Sequence, residues 1–246
     1  MEEEILNLVK NLLKNDHTGH NIEHIINVKK LAFKFSTNED VDQELISIAS
    51  LLHDVDDYKL VGEENACKFI NAKQIMTKVG LEKDRQDQVI QIISNLGFKN
   101  RLKGIKPTCI EGKIVSDADM CEALGSIGII RSLIYAVSEK GNGVIFDKDI
   151  FPNINIKAEE YNSKGTTHNT DNAINHFFEK SLKLPNLLLT DAGKKEGYKR
   201  ALIIIQFLYE YFRELNLQDW ILFLDNYLDN NYLPEQSKIL KLNRDI

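Results

Sequence analysis

The chain has 246 residues, of which 43% are hydrophobic and 28% are charged, and its formal net charge is −6. This composition supports a large buried core and argues against a nonspecific nucleic-acid-binding protein, because such proteins draw their affinity from basic surfaces that release counterions. The three cysteines form no CxxC pair, so we expect buried thiols in a reducing compartment rather than disulfides or a thiolate zinc site.

Apolar residues recur with helical spacing along almost the whole chain. Two stripes lie within residues 5–13 and 22–35, and a third helix is predicted from near Asp40 through ELISIASLLHD. Further helical segments are predicted at ENACKFINAKQIM, KDRQDQVIQIISNLG, EGKIVSDADMCEALGSIGIIRSLIYAV and DNAINHFFEKSLKL. Thr190 or Asp191 is expected to cap the next long helix, and a last helix is predicted over QDWILFLDNYLD. The pattern therefore predicts an all-α protein.

The stretch 140–167 is rich in Gly and Asn and shows no helical period. We predict one domain over residues 1–246, with a core over about 15–135, an inserted loop over about 140–167 and a C-terminal helical part over about 168–230. The acidic N-terminus lacks the order of a signal peptide, and no apolar run approaches the roughly 20 residues needed to cross a bilayer. We therefore expect a cytoplasmic protein with no membrane partner.

Three separate helical segments carry metal-ligand side chains where the apolar pattern predicts burial. The residues are His20 and His24, His53 and Asp54, and Asp117 and Asp119. An unpaired buried carboxylate is costly, and a divalent cation removes that cost by accepting imidazole nitrogen and carboxylate oxygen together. The sequence thus predicts that three helices of unlike sequence present ligands to one metal ion.

These segments resemble the signature of the HD-domain phosphohydrolase superfamily, in which a histidine, an adjacent His-Asp pair and a distant aspartate surround one metal. The resemblance implies that the ligands are His24 in HNIEHIINVKKLA, His53 and Asp54 in ASLLHDVDDYKL, and Asp119 in VSDADMCEALG. It also implies that the predicted all-α fold is an HD-domain helical bundle. Three other segments, DADMCEALGSIGIIR, NHFFEKSLKL and KKEGYKR, resemble a bacterial subgroup of small HD hydrolases, some of which hydrolyse nucleotides.

The resemblance covers roughly residues 15–215 and leaves one ligand with an alternative. Asp119 is preferred over Asp117, because the family pattern resembles Ala-Asp followed by an often basic residue. Asn27 and Met120 stand where the subgroup often has basic side chains. These two departures remove cationic groups that could contact a phosphate, so they bear on the substrate more than on the metal.

The resemblance implies a metal-dependent phosphohydrolase that releases phosphate or pyrophosphate from a small phosphorylated metabolite, with a nucleotide as the expected substrate. A mixed nitrogen and oxygen ligand set accommodates Mn²⁺, Fe²⁺, Co²⁺, Ni²⁺, Zn²⁺ or Mg²⁺. No histidine lies between His53 and His168, so we predict a single-ion site rather than the binuclear sites of the family's diiron oxygenases and cyclic-dinucleotide phosphodiesterases. The alternative is a weak or inactive HD module that binds a nucleotide or a protein partner in signalling.

Residues near the ligands are expected to act on the substrate. Asp57, or its neighbour Asp56, is predicted to hold or deprotonate the attacking water, and Lys59 to hold a phosphate as a point charge. His20 is expected to support the ligands or to act as an acid near the leaving group. The side chains predicted to complete an anion pocket are Arg131, His176 and Lys180.

Overall fold

The structure, a computed structural model, describes residues 1–14, 21–138, 141–156 and 172–241, apart from the side chains of residues 59 and 63. These residues form helices and connecting turns without a β-strand, which confirms the predicted all-α class. The first eight helices are α1 Glu2–Leu12, α2 Ile22–Phe35, α3 Gln43–Leu52, α4 Tyr58–Val61, α5 Glu63–Ala66, α6 Ile70–Lys78, α7 Lys83–Ile93 and α8 Phe98–Leu102. The others are α9 Ile110–Glu122, α10 Gly125–Val137, α11 Ala173–Glu179, α12 Asp191–Glu214, α13 Gln218–Asn231 and α14 Pro234–Lys241, with a 3₁₀ helix at Ser181–Leu187.

Side-chain caps mark the start of helices α2, α3 and α12. The Asn21 side chain accepts hydrogen bonds from the first-turn amides of α2, and Asp42 accepts one from Leu45 at the start of α3. Of the two predicted caps for α12, Thr190 is the one observed, because its hydroxyl accepts a hydrogen bond from the Gly193 amide at 3.0 Å. Each cap satisfies amide donors that have no partner within their own helix.

Helices α2, α3 and α9 pack against one another and form the centre of the fold. Residues 45–52 of α3 are all buried, which matches a helix with an apolar surface all round. Helix α12 lies against α9 and α10, and α13 packs on α12. The three central helices end in, or carry, the side chains that the sequence predicts as metal ligands.

Several predicted helical segments are interrupted. The stretch 111–137 is two helices bent by 67°, because Leu124 is extended and Gly125 has φ +71°, a value that glycine adopts without steric cost. The segment ENACKFINAKQIM is likewise split into α5 and α6, with Phe69 at φ +51° between them. Helix α14 follows the segment that was predicted to be the last helix, so that prediction was wrong. Its sequence, PEQSKILK, is short and mostly polar.

Residues 141–156, which belong to the predicted inserted loop, contain no helix or strand. The remainder of the predicted loop lies outside the described residues. This part of the loop is tied to the C-terminal helices. The Trp220 indole donates a hydrogen bond to the Lys148 carbonyl at 3.0 Å, and the Asn175 amide donates one to the Ile150 carbonyl at 3.0 Å. The ring of Phe151 stacks on Trp220 with centroids 4.5 Å apart.

Two further observations concern the surface and the composition. Within the described ranges, no single helix is long and apolar enough to cross a membrane; only α9 and α10 together, as a bent pair, pass a test of length and composition.

Cys121 is buried, as expected, but Cys67 and Cys109 are exposed, which corrects the expectation of three buried thiols. Cys109 is exposed because it caps the start of α9, where its sulfur accepts a hydrogen bond from the Gly112 amide.

Candidate metal centre

Four ligand-type atoms converge where α2, α3 and α9 meet. His24 projects from α2, His53 ends α3, Asp54 follows in the next turn, and Asp119 projects from α9. The Nε2 atom of His24 lies 3.1 Å from His53 Nε2, 3.1 Å from Asp54 Oδ2 and 3.6 Å from Asp119 Oδ1. His53 Nε2 lies 3.5 Å from Asp54 Oδ2 and 3.8 Å from Asp119 Oδ1.

These separations suit ligands of one divalent ion. Metal–ligand bonds of roughly 2.0–2.2 Å at angles between 90° and tetrahedral place neighbouring ligand atoms about 3.0–3.4 Å apart. The shortest observed separation, 3.1 Å, lies in this range, and the longest, 3.8 Å, exceeds it by a few tenths of an ångström. Ligand atoms of His24, His53 and Asp119 all lie within 4.8 Å of one another.

Hydrogen bonds to the far ring nitrogens orient both imidazoles. His24 Nδ1 lies 2.8 Å from Glu122 Oε2, and His53 Nδ1 lies 2.8 Å from the Ser50 carbonyl oxygen. With each Nδ1 bound to an acceptor, the ring donates there and directs the lone pair of Nε2 into the cluster. Two lone pairs 3.1 Å apart repel unless a proton or a metal ion lies between them. The ligand set therefore fits a cation.

In the absence of a metal ion, a proton takes this place. Burial lowers the pKa of His24, but hydrogen bonds to the carboxylates of Asp54 and Glu122 outweigh burial and raise the pKa from 6.5 to about 9. A positive charge is therefore favoured between these groups. A divalent ion would displace that proton, so metal binding and protonation of His24 compete.

Glu122 is a site residue that the sequence analysis did not single out. Its side chain is 1% exposed, and it is hydrogen bonded to His24, the Arg131 guanidinium and the side chain of Asn27. Burial tends to raise the pKa of this carboxyl, but the bonds and charges of His24 and Arg131 hold the pKa below its usual range. The signal in the sequence was the spacing, because Asp119 and Glu122 are three residues apart and share a face of α9.

The two aspartates of the SDADM segment point in different directions. Asp119 reaches the cluster, whereas Asp117 is fully buried on another side of α9. The Asp117 carboxylate accepts hydrogen bonds from the amides of Leu189 and Thr190 and from the Thr190 hydroxyl, at 2.7–3.0 Å. Asp117 therefore fastens the start of α12 and is not among the converging ligand atoms.

Asp56 and Asp57 also have different surroundings. Both oxygens of Asp56 accept backbone hydrogen bonds, from Asn71 and from Ala72 at 2.9 Å each, so Asp56 holds the start of α6. Asp57 is half-buried and lies within electrostatic reach of Lys180, as do Asp54 and Asp119. Of the pair, Asp57 is the one whose charge acts on Lys180 together with the charges of Asp54 and Asp119.

The residues predicted to form an anion pocket, Arg131, His176 and Lys180, have different surroundings. Lys180, at the end of α11, is half-buried near the cluster; burial lowers the pKa of its ammonium and outweighs the attraction of Asp119 and the other carboxylates. His176 lies one turn earlier on α11, on the same face. Arg131 faces Glu122 behind the His24 ring, and its role toward a phosphate stays a prediction. His20 lies outside the described residues, as does the side chain of Lys59, although its backbone belongs to α4.

The two departures from the subgroup pattern have packing roles in the structure. Met120 is 3% exposed and belongs to the hydrophobic core. Asn27 donates a hydrogen bond to Glu122 and so takes part in holding the carboxylate that orients His24. Neither side chain stands among the converging ligand atoms.

An all-α fold in which three helices direct two imidazoles and two carboxylates to one point defines a class of candidate metal-binding proteins. The HD domain family model matches residues 21–124. The chain is 29% identical over 209 residues to YpgQ of Bacillus subtilis, covering 83% of this chain and 89% of YpgQ.

Solved structures give the same result. A protein from Lactobacillus plantarum has a TM-score of 0.73 at 28% identity, covering 87% of this chain and 96% of that one. An HD-superfamily hydrolase from Bacillus thuringiensis has a TM-score of 0.64 at 32% identity, with the same coverage. YpgQ in complex with ADP has a TM-score of 0.62 at 24% identity, covering 87% of this chain and 97% of YpgQ. The chain belongs to the HD-domain superfamily, which confirms the resemblance seen in the sequence.

Proposed function

We propose that the protein is a metal-dependent phosphohydrolase that releases phosphate or pyrophosphate from a nucleotide. The observation that carries this proposal is the convergence of the ligand atoms of His24, His53, Asp54 and Asp119, with separations of 3.1–3.8 Å among the measured pairs. Membership of a superfamily that includes hydrolases supports the reaction class.

Those four side chains would hold the ion. When bound, a divalent ion lowers the pKa of a coordinated water from about 15.7 toward roughly 7 and polarises a phosphoryl oxygen. Glu122 and the Ser50 carbonyl keep the two imidazoles in the ligating tautomer, so the ligand set is formed before substrate arrives.

The remaining residues would act on the substrate and on protons. Asp57 would accept a proton from the attacking water. Its charge acts on Lys180 together with the charges of Asp54 and Asp119, which supports this role. The ammonium of Lys180 would bind phosphate oxygens, with Lys59, Arg131 and His176 as further predicted contacts. Phosphate transfer requires compensation of developing negative charge, and a cationic side chain close to the ligands supplies it.

A nucleotide is the first substrate class to examine. YpgQ, which shares 29% identity with this chain over 209 residues, has been crystallised with ADP. The carboxylates of Asp54, Asp57 and Asp119 would disfavour an anionic substrate unless cations offset them. Lys180 and a bound metal ion would supply this compensation, and both suit a substrate whose charge resides in phosphate groups.

A substrate screen tests the proposal. Protein stripped with chelator and reloaded with Mn²⁺ is incubated with nucleoside mono-, di- and triphosphates, and phosphate and pyrophosphate are measured separately. Asp54→Asn should lower turnover by at least about 10²-fold, because it removes a ligand, whereas Asp87→Asn, an exposed carboxylate paired with Lys83, should leave turnover unchanged. Full activity in Asp54→Asn would contradict the assignment.

A second variant separates substrate binding from metal binding. Lys180→Met should lower kcat/KM by about 10-fold or more while the bound metal stays the same, because the ammonium is not a ligand. A metal-loaded protein that binds nucleotide and hydrolyses none of the panel would support the alternative, a weak or inactive module that binds a nucleotide or protein in signalling.

A further inference from the structure

The 145–154 segment of the inserted loop is hydrogen bonded to α11. At the start of the helix, the Ile174 amide donates a hydrogen bond to the Ile145 carbonyl at 3.1 Å. The Asn175 side chain donates one to the Ile150 carbonyl at 3.0 Å. Helix α11 has only seven residues, and a helix of that length is not stable without tertiary contacts. Its position therefore depends on its surroundings, which include this loop segment.

Two more contacts of the segment stand on either side of Lys180. Glu179 Oε1 accepts a hydrogen bond from the Asn153 amide at 3.0 Å, and the Lys183 ammonium donates one to the Ile154 carbonyl at 2.7 Å. The backbone of Lys180 has φ −132° and ψ −64°, outside the helical region, so α11 ends there. The lysine thus stands at a junction whose two sides are bound to the same segment.

Glu179 is a buried carboxylate that the proposed mechanism does not use. Among the residues that the structure describes, Glu122 and Glu179 are the two buried glutamates. Burial of a carboxylate is costly, and a hydrogen bond from a backbone amide offsets part of that cost. The neighbouring Phe177 and Phe178 are fully buried in the core, so apolar packing also holds α11. Glu179 therefore adds a polar anchor to a helix that apolar packing already retains.

Lys180 lies within electrostatic reach of the metal centre. Its ammonium is acted on by the carboxylates of Asp119, Asp57 and Asp54. Consecutive residues of a helix point about 100° apart, so Glu179 can contact the loop segment while Lys180 serves the metal centre. A lysine side chain is flexible, and the position of its backbone limits where the ammonium can lie. Whatever fixes the end of α11 therefore also limits the position of this charge.

We propose that Glu179 is a positioning residue for the substrate-binding ammonium of Lys180, and that it acts by holding the end of α11 against the 145–154 segment. The inference rests on the proposed function, in which Lys180 binds phosphate oxygens of a nucleotide. None of the four proposed metal ligands belongs to α11, so the contact bears on the substrate and not on the ion. Misplacement of a binding group by about 1 Å can lower a rate about 10²-fold.

Calorimetric titration of α,β-methylene-ADP into Mn²⁺-loaded protein tests this proposal. The analogue resists cleavage between its phosphates, and ADP itself is the ligand crystallised with YpgQ. Glu179→Ala should weaken analogue binding about 5- to 10-fold and leave Mn²⁺ affinity unchanged. Glu179→Gln should bind within about twofold of the unaltered protein, because its amide oxygen can still accept the Asn153 hydrogen bond.

Tyr232→Phe is the matched control. It removes a buried hydrogen bond to the Leu182 carbonyl, on the 3₁₀ helix that follows α11, and should leave analogue binding unchanged. Equal weakening in this control would show that any lost contact near the junction has the same effect, and would overturn the specific role of Glu179.

A double-mutant cycle separates positioning of Lys180 from a general loss of structure. Lys180→Met alone should weaken analogue binding about 10-fold, and adding Glu179→Ala should change it by less than about twofold further. Losses that multiply would overturn the proposal, and so would full binding by folded Glu179→Ala protein or an equal loss in Glu179→Gln. Each of these results leaves the proposed hydrolysis standing. An unaltered protein that neither binds nor hydrolyses nucleotides would refute the proposed function and this inference with it.

Circular dichroism and urea denaturation should show a folded Glu179→Ala protein, since the apolar packing of α11 is unchanged. If that variant does not fold, Lys183→Met takes its place. This change removes the bond to the Ile154 carbonyl on the other side of the junction and should weaken analogue binding about 3-fold. A folded Lys183→Met protein with unchanged binding would then overturn the proposal.

Discussion

Replacing Glu122 by glutamine tests the geometry that holds His24. The change keeps the shape of the side chain and removes its charge. His24 Nδ1 lies 2.8 Å from the Glu122 carboxylate, and both side chains are nearly inaccessible, at 2% and 1% exposure. Water cannot replace the lost charge there. The imidazole is left with a neutral amide oxygen as its acceptor, which holds the ligating tautomer more weakly than a carboxylate does.

The expected magnitude follows from that burial. Loss of a partner behind a metal ligand typically weakens metal binding about 10- to 100-fold, which corresponds to roughly 1.4–2.7 kcal/mol. We expect the upper half of this range. The free energy of unfolding of the metal-free protein should also fall, by about 1–2 kcal/mol, because Arg131 loses its partner. The Arg131 side chain is 22% exposed, so this cost stays below that of a fully buried pair.

Calorimetric titration of Mn²⁺ into chelator-stripped protein measures the first effect, and urea denaturation measures the second. Glu196→Gln is the matched control. This carboxylate of α12 pairs with Arg200 and Lys34, is not among the converging ligand atoms, and should leave Mn²⁺ binding unchanged. If folded Glu122→Gln protein binds Mn²⁺ within about twofold of the unaltered protein, the carboxylate does not orient His24.

Two further predictions follow from the buried charges. Without metal, the pKa of His24 is raised to about 9. Protonated His24 therefore stabilises the folded state fully below pH 6.5, and this stabilisation is lost as the pH rises to 9. In urea denaturation of chelator-stripped protein, the free energy of unfolding should fall by roughly 3 kcal/mol between pH 6.5 and pH 9. A flat profile would contradict the hydrogen bonds from His24 to Asp54 and Glu122. Asp119→Asn should abolish Mn²⁺ binding and preserve the fold. Asp117→Asn should preserve Mn²⁺ binding and lower the free energy of unfolding by about 2–4 kcal/mol, because one carboxylate oxygen becomes an NH2 group that cannot accept the hydrogen bonds now donated by Leu189 or Thr190. The reverse pattern in titration and denaturation would exchange the roles of the two aspartates.

The helical period of the apolar residues was enough to predict an all-α protein, because burial of one face per helix is written into local spacing. A metal site was also predictable, since imidazoles and carboxylates at positions expected to face inward are costly without a common partner. The family followed from the resemblance of His24, the His53-Asp54 pair and Asp119 to the HD signature. The break before Gly125 was missed: the apolar period continues through it, and only the backbone geometry shows the bend. Helix α14 was missed because its sequence is mostly polar.

Residue types and helical spacing thus determined by themselves the class of fold and the candidates for metal binding. Tertiary structure decided which candidates meet. Asp117 and Asp119 are two residues apart on α9 and so point to different sides, and the packing of α9 between α2 and α12 directs Asp119 to the imidazoles. Glu122 gains its place behind His24 from the same packing. A glutamate in a helix usually faces water, so only the arrangement of the neighbouring helices shows that this one is buried.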